Sequence, residues 1–294
     1  MIDIDYINSP NEDHCEGIIW IPKTNEVAWV NVFEKPKIIT YNIVNKKISS
    51  IDVPGPITSI APTDNNNFIV TMGNGFYKVK RSGEIILKAE VTELQNNELL
   101  NDGRCDSMGR YFCVSMDIHM KNPIGKLYQL DLNGEVKILD NDFVVGNGIA
   151  FSPNENIIYV SDSRKEIIYK YDYNIVSGNI SNRRSFFSTS EIVGRPDGAA
   201  IDKLGNYWST LFEGNCIIRI DHKTGTIISK IQLPVSYPTM CCFGGSELDK
   251  VYVTTSKRLL INSDKLKEPL AGKILVLSNL GITGSQSTMY SNVE

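Results

Sequence analysis

The chain lacks a basic stripe. Its 30 Lys and Arg are outnumbered by 34 Asp and Glu, and Lys35-Pro36-Lys37, Lys46-Lys47 and Arg183-Arg184 lie far apart. Neutralising phosphates needs clustered cations, so neither nucleic acid nor an anionic membrane surface is an expected partner. No apolar run approaches the length that spans a bilayer. The opening Met1-Ile2-Asp3-Ile4-Asp5 has neither the basic nor the apolar character of a secretory leader. Six cysteines occur without a CxxC pair, which argues against a structural zinc site and predicts reduced thiols in a cytoplasmic protein. Cys105, Cys113, Cys216, Cys241 and Cys242 fall in or beside apolar runs and are expected as small buried hydrophobes, whereas Cys15 adjoins Glu16. A GxSxG elbow, a Gly-rich phosphate loop and amphipathic helices of ordinary length are also missing. Only three histidines are present. His14 is within reach of Glu16, His119 sits in a polar connection that can cover a pocket mouth, and His222 follows a turn; their spacing defines no site.

What is present is a repeat. Four times a side-chain oxygen stands just before a strand-like stretch: Glu16-Gly17-Ile18-Ile19-Trp20, Asn101-Asp102-Gly103-Arg104-Cys105, Asn147-Gly148-Ile149-Ala150-Phe151 and Asp197-Gly198-Ala199-Ala200-Ile201. Two continue almost identically, as Asp106-Ser107-Met108-Gly109-Arg110-Tyr111-Phe112 and Asp202-Lys203-Leu204-Gly205-Asn206-Tyr207-Trp208. Asn147 follows Asn101 by 46 residues and precedes Asp197 by 50. An unmarked unit at Thr58-Ser59-Ile60-Ala61-Pro62 and a sixth beginning near Thr239 complete the series. A period of about 40 to 50 residues holding several short strands is that of β-propeller blades. Within units, runs such as Lys126–Asp131 and Cys216–Asp221 end in Asp and a Gly-containing turn, the chemistry of a hairpin. These features predict an all-β, six-bladed propeller occupying residues 1–294 as one domain. The strand Lys273–Leu277 should follow a long insertion in the sixth blade, and the tail from about Gly284 is expected to be loosely held unless it closes that blade.

A propeller turns equivalent strand positions toward one axis. Glu16, Asn101, Asn147 and Asp197 can then converge as an all-oxygen set, which suits a hard divalent cation. The competing reading is that Asn-Gly and Asp-Gly dipeptides only make turns.

The same residues resemble the senescence marker protein/gluconolactonase/luciferin-regenerating enzyme family, which includes regucalcin. The resemblance runs over essentially the whole chain. It rests on Glu16-Gly17-x-x-Trp20, Leu100-Asn101-Asp102-Gly103-Arg104, Gly109-Arg110-Tyr111-Phe112, Asn147-Gly148, Pro196-Asp197-Gly198, Asp202-x-x-Gly205-Asn206-x-Trp208 and Cys242-Phe243-Gly244-Gly245. It implies one divalent metal cation (calcium, magnesium, manganese, zinc or iron) held by Glu16, Asn147 and Asp197, with Asn101 beside it contacting substrate or water. The implied reaction is hydrolysis of a small-molecule lactone, with Asp197 as general base.

Two departures bear on the substrate. Many sugar-lactonase members carry Arg two residues before the Asn of the NDG motif, where this chain has Leu99. Some carry Glu in the following loop, where the nearest counterpart is His119. Exchanging a donor for Leu99 predicts a pocket less suited to a polyol. Other substrates hydrolysed on the same metal centre, and a non-catalytic calcium-binding propeller, are the alternative readings.

Overall fold

The computed structural model describes residues 2–286 and 288–291. Six antiparallel sheets, each of four strands, follow one another along the chain. The innermost strands are Cys15–Ile21, Ile57–Pro62, Glu98–Cys105, Gly146–Phe151, Arg195–Ile201 and Pro238–Gly244, for blades 1 to 6. Each packs against the next, and the strand of blade 1 packs against that of blade 6, so the ring is closed. The expected all-β six-bladed propeller is therefore the observed fold. Turn chemistry sets the hairpins. Asp131 Oδ1 accepts the Asn133 and Glu135 amides at 2.9 and 2.8 Å, and Asp221 Oδ1 those of Lys223 and Thr224 at 2.9 and 2.8 Å.

Blade 6 is completed from the other end of the chain. Asp3–Ile7 pairs antiparallel with Ile274–Ser278, from Asp3 opposite Ser278 to Ile7 opposite Ile274. The predicted insertion lies between Lys250–Thr255 and Ile274–Ser278 and includes a four-residue helix, Asn262–Lys265. Because Asp3–Ile7 fills the outer edge, the C-terminal tail does not close blade 6. It runs instead as a strap over one mouth of the ring, with Ser285 N donating to Ile201 O at 3.1 Å and Tyr290 N to Pro62 O at 2.9 Å. Tyr290 is buried on that strap. Residues 284–286 and 288–291 are therefore tied down across the mouth, not loosely held as expected; Ser287 and 292–294 lie outside the described residues. Among the described residues no helix is long and apolar enough to cross a membrane.

Apolar side chains interlock between neighbouring sheets. Phe112, Phe151 and Tyr173 meet with ring centroids 5.1–5.7 Å apart, and Trp208 meets Phe243 edge-on at 5.3 Å. Such pairs add to simple burial. All six cysteines are free and buried, as expected of small hydrophobes. The repeated Asp-x-x-Gly turns are structural. Asp106 accepts Arg110 Nε at 2.6 Å and the Tyr173 hydroxyl, and Asp202 accepts Arg219 Nε at 2.7 Å and Trp208 Nε1 at 3.0 Å. Both aspartates are fully enclosed, so every lost donor leaves a buried charge less satisfied. Tyr173→Phe is expected to cost about 2 kcal/mol, the scale of one hydrogen bond to a buried ion. A shift of the urea midpoint without a change in slope is the check.

Candidate metal centre

Every innermost strand carries one extra residue at an equivalent place. The breaks in pairing fall at Glu16/Ile19, Ile57/Ser59, Leu100/Gly103, Asn147/Ala150, Pro196/Ala199 and Pro238/Cys241. A β-bulge re-aims the side chains around it, and here six bulges encircle one end of the channel. The four oxygen-bearing residues do not share one ladder position, as their spacing in the sequence suggests. Glu16 and Asn147 are the last paired residues before the bulge, while Asn101 and Asp197 lie within it, one step later. Gly17 and Gly148 follow the paired residues with φ of 60° and 59°, a left-handed conformation that Gly adopts without strain. Gly103 and Gly198 serve a different need, because a Cβ would stand 2.5 Å from the Tyr111 hydroxyl and 2.4 Å from Met240 Cγ, respectively.

Blades 2 and 6 contribute no such oxygen to the axis. Their bulge residues are Thr58 and Thr239, whose hydroxyls donate to the carbonyls of Leu100 at 2.8 Å and Cys15 at 2.6 Å. Both are thus committed to stitching one blade to the next, which leaves four blades to furnish the site.

Asn101 and Asn147 touch. Asn101 Nδ2 donates to Asn147 Oδ1 at 3.0 Å and to Gly146 O at 2.9 Å. Asn147 Nδ2 donates to Ser163 Oγ at 2.9 Å, and Ser163 Oγ donates in turn to Pro196 O at 2.6 Å. This chain holds the Asn147 amide with its oxygen toward Asn101 and joins blade 4 to the segment bearing Asp197. Ser163 was not legible as a site residue, since nothing marks one serine among many until the fold places it.

Glu16 and Asp197 lie close enough for their like charges to oppose each other. Burial first, then the carboxylates of Asp197 and Asp102, push the Glu16 pKa well above the carboxylate range. For Asp197 burial again leads, followed by Asp102. Among the described residues no lysine or arginine lies within 4.0 Å of either carboxylate; Arg195, nearest in sequence to Asp197, pairs with Glu213 at 2.6 Å. His14 Nε2 is 3.8 Å from Glu16 Oε1, and its Nδ1 is 2.8 Å from Ser256 Oγ. Burial lowers the His14 pKa to about 4, so at neutral pH the ring brings no charge. Largely buried Glu16 and Asp197, beside Asp102 and with Arg195 acting on Asp197 only at longer range, are the electrostatic setting in which a bound cation is favourable.

The donor chemistry fits a hard divalent ion on these terms: two carboxylates, the Asn147 amide oxygen, and Asn101 at hand. It is sparing, since among the described residues no three His, Cys, Asp or Glu side chains gather. Asp102, inside the NDG motif but not singled out from sequence, is spent on structure. Its Oδ1 accepts Gly103 N and its Oδ2 accepts Ile149 N, both at 2.8 Å. Cys15 is fully buried, its Sγ 3.5 Å from Gly272 O.

Leu99 and His119 lie toward the same end of blade 3. Leu99 is half-buried and pairs with Met116 on the adjoining strand. His119 is exposed in the loop after Tyr111–Asp117, its amide bonded to Asp117 Oδ1 at 3.2 Å. Among the described residues no hydrogen bond joins the His119 ring to any of the four oxygen residues.

Comparison with known proteins agrees with this architecture. Residues 14–257 match the SMP-30/Gluconolactonase/LRE-like region. An uncharacterised protein of Sulfolobus acidocaldarius is 35% identical, over 82% of this chain and 86% of its own length. Regucalcin of Sus scrofa is 30% identical over 95% of each chain. A solved luciferin-regenerating enzyme superposes with a TM-score of 0.92 at 27% identity, covering 99% of this chain and all of that one. With its six bulged blades and the oxygen residues set at one end of the ring, this chain belongs to the SMP-30/gluconolactonase/LRE-like family.

Proposed function

We propose that this protein is a divalent-metal-dependent hydrolase acting on lactones. The observation that carries the reading is the enclosed pair Glu16 and Asp197, beside an Asn147 amide whose orientation is held by Ser163. Family membership supports the reaction class. Glu16, Asn147 and Asp197 would hold the cation. When bound, it supplies Lewis-acid polarisation of the ester carbonyl.

The remaining work falls to side chains. Asp197 accepts the proton of the attacking water, its carboxylate fixed in the site by the bulge of its own strand. The Asn101 Nδ2 bonds to Gly146 O and Asn147 Oδ1 leave its carbonyl oxygen to orient water or a substrate hydroxyl. Leu99 presents an apolar wall where an arginine would bind a polyol. His14, neutral and fixed by Ser256, borders Glu16 without competing for it.

The test is a pH-indicator assay of lactone hydrolysis. Metal-stripped protein receives calcium, magnesium, manganese, zinc or iron(II) singly, and the substrates span gluconolactone, pentonolactones and aliphatic lactones. Activity restored by metal and absent in Asp197→Ala is the expected result. Tight metal binding with no hydrolysis of any lactone would move the reading to a calcium-binding role or to another substrate class. Leu99→Arg adds hydrogen-bond donors at the specificity wall. It is expected to raise kcat/KM for gluconolactone relative to an aliphatic lactone by about tenfold, roughly the value of one well-made substrate hydrogen bond.

A further inference from the structure

A sizeable cavity lies at the other mouth of the ring. It holds about 680 Å³ beneath the C-terminal strap, among the carboxyl ends of the innermost strands. A ligand pocket of ordinary size falls within about 300–1,000 Å³. Its walls are mixed: Phe151, Ile201, Phe243 and Met289 supply apolar surface, serines and threonines of the rim and strap supply polar surface, and Arg104 is part of the lining. Arg104 also lines a small void of about 10 Å³ further along the axis, reaching Gly103 and Met240. Arg104, with Cys105 and Thr288, thus lines both the strap cavity and the small void toward the bulged end of the channel.

Arg104 is unusual in this chain. Seven other arginines reach a carboxylate at 2.6–3.2 Å. Among the described residues Arg104, half-buried, has no carboxylate within 4.0 Å. Its Nε donates to Ile149 O at 2.8 Å and its Nη2 to Ala199 O at 2.7 Å. Two bonds use two of the five guanidinium donors, so the cation is held by blades 4 and 5 while donors remain. The buried Asp102 carboxylate feels the Arg104 charge without an ion pair to it and accepts the Gly103 and Ile149 amides instead. Lys203 and Glu247 are exposed at the rim, and Glu155 accepts the Ser107 amide and hydroxyl at 2.8–3.1 Å.

We propose that this cavity is a second ligand site, distinct from the metal centre, for an organic carboxylate with an apolar body. The carboxylate meets Arg104 at the inner end, the arrangement in which a guanidinium is most effective. The hydrocarbon lies against Phe151, Ile201 and Phe243. The site is independent of the proposed lactonase reaction.

Isothermal titration of octanoate, with 1-octanol as the neutral isostere, tests this in both the calcium-loaded and the chelator-stripped protein. Octanoate is expected to bind both forms alike and at least tenfold more tightly than octanol. Arg104→Gln should weaken it at least tenfold. Because Arg104 also joins three blades, Gln286→Trp serves as a second variant, filling the mouth from the exposed strap and leaving Arg104 in place; it too should weaken binding at least tenfold. Absence of binding, equal binding of octanol, binding indifferent to Gln286→Trp, or binding that disappears with the metal would each overturn the proposal, the last by placing the carboxylate on the cation.

Discussion

Asp197→Asn is expected to lower kcat/KM for any lactone the protein hydrolyses by about 10³-fold or more. The substitution keeps the side chain's size and one oxygen, so the bulge and the packing of Gly198 against Met240 are undisturbed. It removes the only group on this segment that can take a proton, and general base catalysis alone is worth roughly 10²–10⁴-fold. It also removes one of two formal negative charges from the cation site, so a loss of cation affinity accompanies the loss of rate. Measuring kcat at saturating metal separates the two effects. If the variant regains the parent's kcat once metal is saturating, Asp197 is a ligand only and the general base lies elsewhere.

Removing the cation, or the carboxylate facing Asp197, gives the second large effect. Glu16→Gln is expected to lose at least 100-fold in divalent-cation affinity, a scale exceeding that of outer-shell changes. In the metal-stripped state the same variant should be more stable than the parent at pH 7.5, by about 1–2 kcal/mol, because one of two enclosed like charges is gone. The direction follows from linkage. Burial and the neighbouring carboxylates raise the folded-state pKa values of Glu16 and Asp197 above their unfolded values. Above about pH 4 the native state therefore holds more protons than the unfolded chain, and metal-free stability falls as pH rises. A bound cation opposes that fall, adding about 2.7 kcal/mol at a hundredfold excess over Kd. Urea unfolding from pH 4.5 to 8, with chelator or with calcium, measures both. A parent whose stability ignores calcium and pH alike would show that the two carboxylates do not face each other at a cation site.

Much of the architecture was readable because it repeats. The spacing of Asn101, Asn147 and Asp197 set the blade length, and the Asp-Gly turns after Leu130 and Ile220 set the hairpins. Repetition failed where a blade is built from both ends of the chain. The pairing of Asp3–Ile7 with Ile274–Ser278 joins segments more than 260 residues apart, and no local pattern announces it. The tail was misassigned for that reason: with the outer edge of blade 6 already filled, its amides found partners across the mouth, at Ile201 and Pro62.

The site divides in the same way. The local order of residues determined that Glu16, Asn101, Asn147 and Asp197 are oxygen donors at equivalent places in a repeat, whereas the left-handed conformation of Gly17 and Gly148, not shared by Gly103 and Gly198, emerged with the structure. Only the tertiary structure decided which ladder position each holds, since a bulge shifts one residue without leaving a gap in the sequence. It also decided that Thr58 and Thr239 stitch blades together, that Ser163 orients Asn147, and that Arg104 reaches the carbonyls of Ile149 and Ala199 on the next two blades. Hydrogen bonds and charge pairing depend on distances across the ring, and those exist only after six separate sheets have closed around one axis.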